Sequence, residues 1–229
     1  MPKIVVMLFG APGSGKGTQA DLLAKKMGLL HFDTGKYVEQ VVHDPHNQKD
    51  PIVQREKKNF DTGILLTPSW ILKLVKKKVR EIADADFGVV FSGSPRTLEE
   101  AKGLIPLFEK LYGKKNVFPF LIQVKPESSL HRNSKRKVCS FCSTPVLAFH
   151  NLSECPLCGA PLKTRTLDDP KVIPTRLKEY KERTEPIFAY LEKKGYEIPH
   201  IHGEPLPFHV FENILHRIHN ASKKNAKGN

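Results

Sequence analysis

Apolar and β-branched residues fill Ile4-Val5-Val6-Met7-Leu8-Phe9 without interruption, the pattern of a buried strand. A glycine-rich turn follows, and the period then changes: Ala20, Leu23, Ala24 and Met27 recur at helical spacing until Gly28 ends the run. Leu29-Leu30-His31-Phe32 reads as a short second strand, and 36–42 are helical by the spacing of Tyr37, Val38, Val41 and Val42. The chain turns polar over 43–51, where Asp44-Pro45-His46-Asn47 marks a loop. Helices are predicted over 52–60 and 68–82, the second opening on Pro68 with Thr67 as its cap. Gly88-Val89-Val90-Phe91 reads as a buried strand and 98–111 as an amphipathic helix. Residues 117–124 read as a strand in which Pro119 should mark the start or a bulge. A basic helix covers 131–137. A long helix covers 172–194, with Pro174 in its first turn and Pro186 as a kink. A strand over 196–201 and a helix over 208–218 close the pattern. Strands alternating with helices predict an α/β fold of three layers around a parallel sheet of about five strands.

The turn after the first strand is Gly10-Ala11-Pro12-Gly13-Ser14-Gly15-Lys16-Gly17-Thr18, which fits G-x-x-x-x-G-K-[ST] with Gly17 inserted before the hydroxyl. Glycines let successive N–H groups curl inward around phosphate oxygens, and Lys16 and the helix dipole add positive charge. Strand, glycine loop and helix together describe a P-loop for the triphosphate tail of a nucleotide.

Composition narrows the setting. A chain of 229 residues can bury one sizeable core with small inserted lobes, and no apolar run is long enough to span a membrane. A formal charge of +13 suits anionic ligands, and the basic residues are scattered along the chain, which argues against a nucleic-acid surface. All four cysteines fall within Cys139–Cys158 as Cys139-x-x-Cys142, twelve residues, then Cys155-x-x-Cys158. Two such knuckles set four sulfurs tetrahedrally around zinc, closed to water and therefore structural. Free thiols in that arrangement point to the reducing cytoplasm. The Lys-rich end of the chain lacks an apolar face and is expected to be disordered.

Gly10, Pro12, Gly13, Gly15, Lys16, Gly17 and Thr18 spell a loop that resembles that of adenylate kinases and related nucleoside monophosphate kinases. Five further stretches extend the likeness from about Lys3 to Ile218: Asp33-Thr34-Gly35, Gly63 to Thr67, Ser92 to Thr97, the Arg132 and Arg136 pair, and Arg165 to Asp169 with Arg176. The resemblance implies a core of residues 1–35, 62–136 and 169–220, an acceptor-binding helical insertion at 36–61, a zinc-binding lid at 137–168 and a basic tail at 221–229. It implies that Gly13, Ser14, Gly15, Lys16, Gly17, Thr18, Arg132 and Arg136 hold ATP, with Thr18 on the magnesium ion. Thr34, Gly35, Lys36, Leu65, Leu66, Gly93, Arg96 and Glu100 would hold AMP. Lys16, Arg96, Arg132, Arg136, Arg165 and Arg176 would surround the migrating phosphoryl group.

The chain also departs from that family at named places. Glu39 stands where a phosphate-clamping arginine is expected; Lys36, one turn earlier, either takes over or is a solvated surface lysine. Ser92 and Ser94 replace the aspartate and phenylalanine of Asp-Gly-Phe-Pro-Arg-Thr, and that aspartate orders magnesium-bound water. Glu100 replaces a base-reading glutamine and, when ionised, can only accept hydrogen bonds. Leu167 replaces the first aspartate after Arg165. The implied activity is reversible phosphoryl transfer from magnesium ATP to AMP by a monomer. Alternatives are another acceptor (CMP, UMP or GMP) or a nucleotide-binding regulator with impaired catalysis.

Overall fold

The computed structural model describes residues 3–146, 152–164 and 166–227, so Arg165 lies outside the described residues. In chain order the core runs through β1 (Val5–Phe9), α1 (Lys16–Met27), β2 (Leu30–Phe32), α2 (Thr34–His43), α3 (Pro51–Thr62), α4 (Pro68–Asp84), β3 (Val89–Phe91), α5 (Leu98–Tyr112), β4 (Val117–Gln123) and α6 (Pro126–Lys135). Three short strands follow, β5 (Lys137–Cys139), β6 (Pro145–Val146) and β7 (Leu162–Lys163). The chain then returns through α7 (Ile173–Glu179), α8 (Pro186–Lys193), β8 (His200–His202) and α9 (Pro207–Lys227).

β1 is buried throughout because its alternate side chains enter two different cores. Val5, Met7 and Phe9 pack with Val75 of α4, Leu104 of α5 and Leu191 of α8. Val6 and Leu8 pack with Leu23 of α1 and Ile214 and Ile218 of α9. Burial on both faces explains the unbroken apolar run and forces a helical layer on each side of the sheet. Among the described residues the sheet is five-stranded, in the order β2-β3-β1-β4-β8, and its pairings are all parallel. The chain leaves β1 toward α1 on one face and leaves β3 toward α5 on the other. The crevice this opens lies at the carboxyl ends of the strands.

Several boundaries differ from the sequence expectation for identifiable reasons. Pro119 stands inside β4, paired with Met7, and not at a start or bulge. Leu121 donates to Pro199 across the β8 edge, so the main chain of Pro119, two residues back, faces that same edge before β8 begins. The missing N–H therefore costs no ladder bond. Pairing confines β8 to His200–His202, shorter than 196–201. The long helix over 172–194 is broken earlier than Pro186: a π turn over Tyr180–Thr184 widens it, with Glu185 N–H reaching back to Tyr180, and Pro186 begins a fresh helix. α9 continues through the Lys-rich stretch to Lys227. No described helix is long and apolar enough to cross a membrane.

The two insertions have their own anchors. β6, β5 and β7 form a small antiparallel sheet that carries the cysteines. Between α3 and α4 the fully buried Glu56 of α3 accepts from Thr67 N–H (2.9 Å), from the Thr67 hydroxyl and from Arg55 Nη2 (2.7 Å). Thr67 is thereby taken from its expected role, and α4 begins with no side-chain cap. Glu56→Ala should therefore lower stability by about 2–3 kcal/mol, because it strands buried donors. Glu56→Gln, which keeps an acceptor, should lose less, and chemical denaturation midpoints will separate the two.

Candidate active site

The loop after β1 is shaped by what packs beneath it. Gly13 has φ +81°, and a Cβ there would stand 2.7 Å from Asn133 Nδ2 and 2.8 Å from Ser129 O, so α6 leaves room only for glycine. Ser129 Oγ also donates to Pro12 O at 2.6 Å. α1 opens at Lys16 behind Gly15, with neither a capping side chain nor an acidic first turn. Its first N–H groups are those an anion would take. Lys16 Nζ donates to Gly10 O (2.8 Å) and Ala11 O (2.9 Å). Burial holds the Lys16 pKa well below the usual lysine value, and Arg96, Arg176 and Arg136 add to the effect; Asp33 opposes it. Ser14 is buried behind the loop.

The opposite wall is built from the ends of β2 and β3. Asp33 caps α2 by accepting from Lys36 N–H at 3.2 Å, which sets Thr34, Gly35 and Lys36 along the wall. The Thr34 hydroxyl is buried with no hydrogen-bond partner among the described residues. A Cβ at Gly93 would stand 3.2 Å from Arg96 Nη2 and 3.2 Å from Thr34 Cβ, so the bare glycine admits the guanidinium. Glu100, expected at the base, is instead occupied locally. Its carboxylate accepts from Arg96 N–H (3.0 Å) and the Thr97 hydroxyl (3.1 Å), while Thr97 caps α5 by accepting from Glu100 N–H. This variant of the capping box is buried, and burial pushes the Glu100 pKa up.

A fully buried aspartate organises the lid side. Asp168 accepts from Arg136 Nε at 2.8 Å and from its Nη2, and it also accepts from Arg176 Nη1 at 3.3 Å. Arg132 and Arg136, expected on one helical face, diverge because α6 ends at Lys135 and Arg136 is already extended. Arg132 turns away to donate to Gly203 O (2.9 Å) and Glu204 O (3.1 Å).

One cleft of about 730 Å³ gathers most of these groups. Gly13, Gly15, Lys16, Gly17 and Thr18 line one side of it. Thr34, Gly35, Lys36, Gly93, Arg96 and Glu100 line the opposite side with Glu39, Leu65 and Leu66, and Arg136 and Arg176 close it. Arg132 and Ser14 do not line it. The four cysteine sulfurs lie within 4.8 Å of one another, with three separations of 3.4–3.7 Å. A zinc ion with four thiolates at about 2.3 Å needs sulfurs roughly 3.8 Å apart, so the donor set fits.

Two constellations escaped the sequence because their members are far apart in the chain. His31 Nδ1 lies 2.7 Å from Asp21 Oδ1, and His31 Nε2 lies 2.7 Å from Ser92 Oγ, all three on the cleft wall. The π turn brings Glu179 onto Leu65 N–H (2.9 Å) and Thr184 Oγ1 onto Arg96 O (2.7 Å).

Comparison with known proteins agrees with this geometry. The family model described as adenylate kinase matches residues 8–196. The adenylate kinase of Chlamydia pneumoniae is 31% identical over 215 residues, covering 94% of this chain and 97% of that protein. That of Chlamydia trachomatis serovar D is 30% identical over 224 residues, with 93% and 89% covered. That of Caldicellulosiruptor bescii is 30% identical over 194 residues, with 83% and 87% covered.

Two outcomes follow from the site. An anion that restores the Lys16 charge must bring a proton wherever that lysine is neutral. Affinity for tripolyphosphate should therefore be full on the acid side of the lowered lysine pKa and decline as pH rises through it. Calorimetry in buffers of different ionisation heat should show net proton uptake there; none at any pH would contradict the assignment. Stripping metal with a chelator should raise hydrogen exchange over 137–146 and 152–163 and leave the strands of the parallel sheet protected.

Proposed function

The chain belongs to the adenylate kinase family, and from that premise we propose that it transfers the γ-phosphoryl group of magnesium ATP reversibly to AMP, giving two ADP. Family membership itself makes it a kinase of the nucleoside monophosphate type. The observation that carries the reading further is the cation cluster: a buried lysine beside three arginines, on the cleft that the glycine loop and Thr34 also line. Asp168 offsets part of that charge from behind, and a strongly anionic ligand on the cleft side, such as two nucleotides meeting by their phosphates, would offset more of it.

In this reading the loop N–H groups and Lys16 hold the donor phosphates, and Thr18 holds the magnesium ion, which neutralises the oxygens of the triphosphate. Thr34, Gly35, Lys36 and Arg96 hold the acceptor phosphate, and Leu65 and Leu66 pack on its base. Arg136 and Arg176, with Arg165, flank the migrating group; Arg132 fixes the carbonyls of the Gly203–Glu204 loop. Glu100 sets the main chain at Arg96, which leaves base recognition to the Leu65 segment. Catalysis is positioning and charge stabilisation with no covalent step, and lid closure keeps water from intercepting the phosphoryl group. The clustered thiols favour a zinc-bearing lid and a reducing, cytoplasmic setting, and we expect a monomer.

Parallel assays of ADP formation with AMP, CMP, UMP, GMP and dTMP, with Lys16→Ala as the blank, test the proposal. AMP should be the preferred acceptor; preference for another base would move the specificity, and silence throughout would favour the regulatory alternative. Arg96→Ala should lower turnover by about 10²-fold or more with an unchanged melting temperature. Near-normal turnover would remove Arg96 from the clamp.

A further inference from the structure

Arg96 lies in the loop between β3 and α5, and its main chain is held on both sides by buried groups. Its N–H donates to Glu100 at 3.0 Å, and its carbonyl accepts from the hydroxyl of Thr184, 88 positions further along the chain, at 2.7 Å. The guanidinium then passes between two bare glycines. A Cβ would stand 3.2 Å from Arg96 Nη2 at Gly93 and 3.5 Å from it at Gly35, so the charged end runs in a slot that two backbones define. In such a slot the reach of the guanidinium is set by the main chain from which it projects.

The hydroxyl of a helical threonine commonly spends its one proton on the carbonyl four residues back in its own helix. For Thr184 that carbonyl belongs to Tyr180, and in the π turn it accepts from Glu185 N–H at 3.1 Å. The Thr184 proton crosses instead to the loop beyond β3, and it ends on the residue of that loop that carries a guanidinium to the cleft wall. Widened turns of this kind are rare in helices and recur at functional sites. We infer that Thr184 is a positioning residue for the transfer reaction, fixing the Arg96 main chain so that its guanidinium meets the acceptor phosphate. The inference rests on the reading of Arg96 as the clamp on that phosphate. It gives a helix that touches neither nucleotide at this position a share in how tightly one of them is held.

Steady-state kinetics test it, with AMP varied at saturating magnesium ATP and magnesium ATP varied at saturating AMP. Thr184→Val keeps the shape of the side chain and removes the donor; it should lower kcat/KM for AMP about tenfold and leave KM for magnesium ATP unchanged. Thr184→Ser, which keeps the hydroxyl, should stay close to the unaltered protein. In an Arg96→Ala background Thr184→Val should cost nothing further, because the group it positions is gone. Thr184→Ala, which removes the hydroxyl without setting a methyl group against the carbonyl, gives the same reading if the valine variant does not fold. An unchanged kcat/KM for AMP in the variants without the hydroxyl, equal losses for both nucleotides, no recovery with serine, or an undiminished loss in the Arg96→Ala background would each overturn the proposal. Near-normal turnover of Arg96→Ala itself would overturn the reading of the clamp, and the role of Thr184 with it.

Discussion

Like charge held at close quarters is the constraint on which the rest of this molecule depends. Lys16 is buried within the electrostatic reach of Arg96, Arg136 and Arg176, and in water such a group would disperse. The fold keeps it together by several distinct means. Asp168, fully buried, pins Arg136 and Arg176 to each other through one carboxylate. The carbonyls of Gly10 and Ala11 hold the ammonium group of Lys16. Glu100 fixes the backbone from which Arg96 projects. Each is a neutral or anionic support placed behind a cation, so that the positive face is turned to the cleft. A site arranged in this way is preorganised for a polyanion before the polyanion arrives.

The π turn between α7 and α8 plays a related part for the acceptor wall. Within one widened turn and the residue before it, Glu179 takes Leu65 N–H, Arg183 reaches Leu65 O at 3.4 Å, and Thr184 takes Arg96 O. The segment expected to lie on the base and the residue expected to clamp the phosphate are thus referred to the same short piece of helix. A regular helix would already set Glu179 and Arg183, four residues apart, on one face but would swing Thr184 about 140° from Glu179; the extra residue per turn brings Thr184 back toward the same wall.

Features encoded in contiguous residues were legible from the chain alone. The glycine loop, the buried parallel strands and the paired cysteine knuckles each announce themselves within a few residues, because local geometry and local chemistry coincide there. What was not legible depended on where distant segments meet. Thr67 looked like a cap until Glu56, eleven positions away, claimed its hydroxyl. Arg132 and Arg136 looked like a pair because helical spacing was assumed to continue one residue past its actual end. Glu100 looked like a base reader because its alignment with a glutamine says nothing of Thr97 and Arg96, which occupy its oxygens. Asp21, His31 and Ser92 come from three elements, and no sequence period connects them.

Pro119 was described above as harmless because its missing N–H faces a stretch that β8 does not reach. The same fact acts in the other direction. β8 is the outermost strand of the sheet, and beyond Leu121 it has no complete row of donors to grow along, so it stays three residues long. The border of the sheet is therefore too short to template the strand of a neighbouring molecule. Pro119 in β4 and Pro199 just before β8 both withhold an N–H at this border, which helps keep the folded protein from associating edge to edge at high concentration.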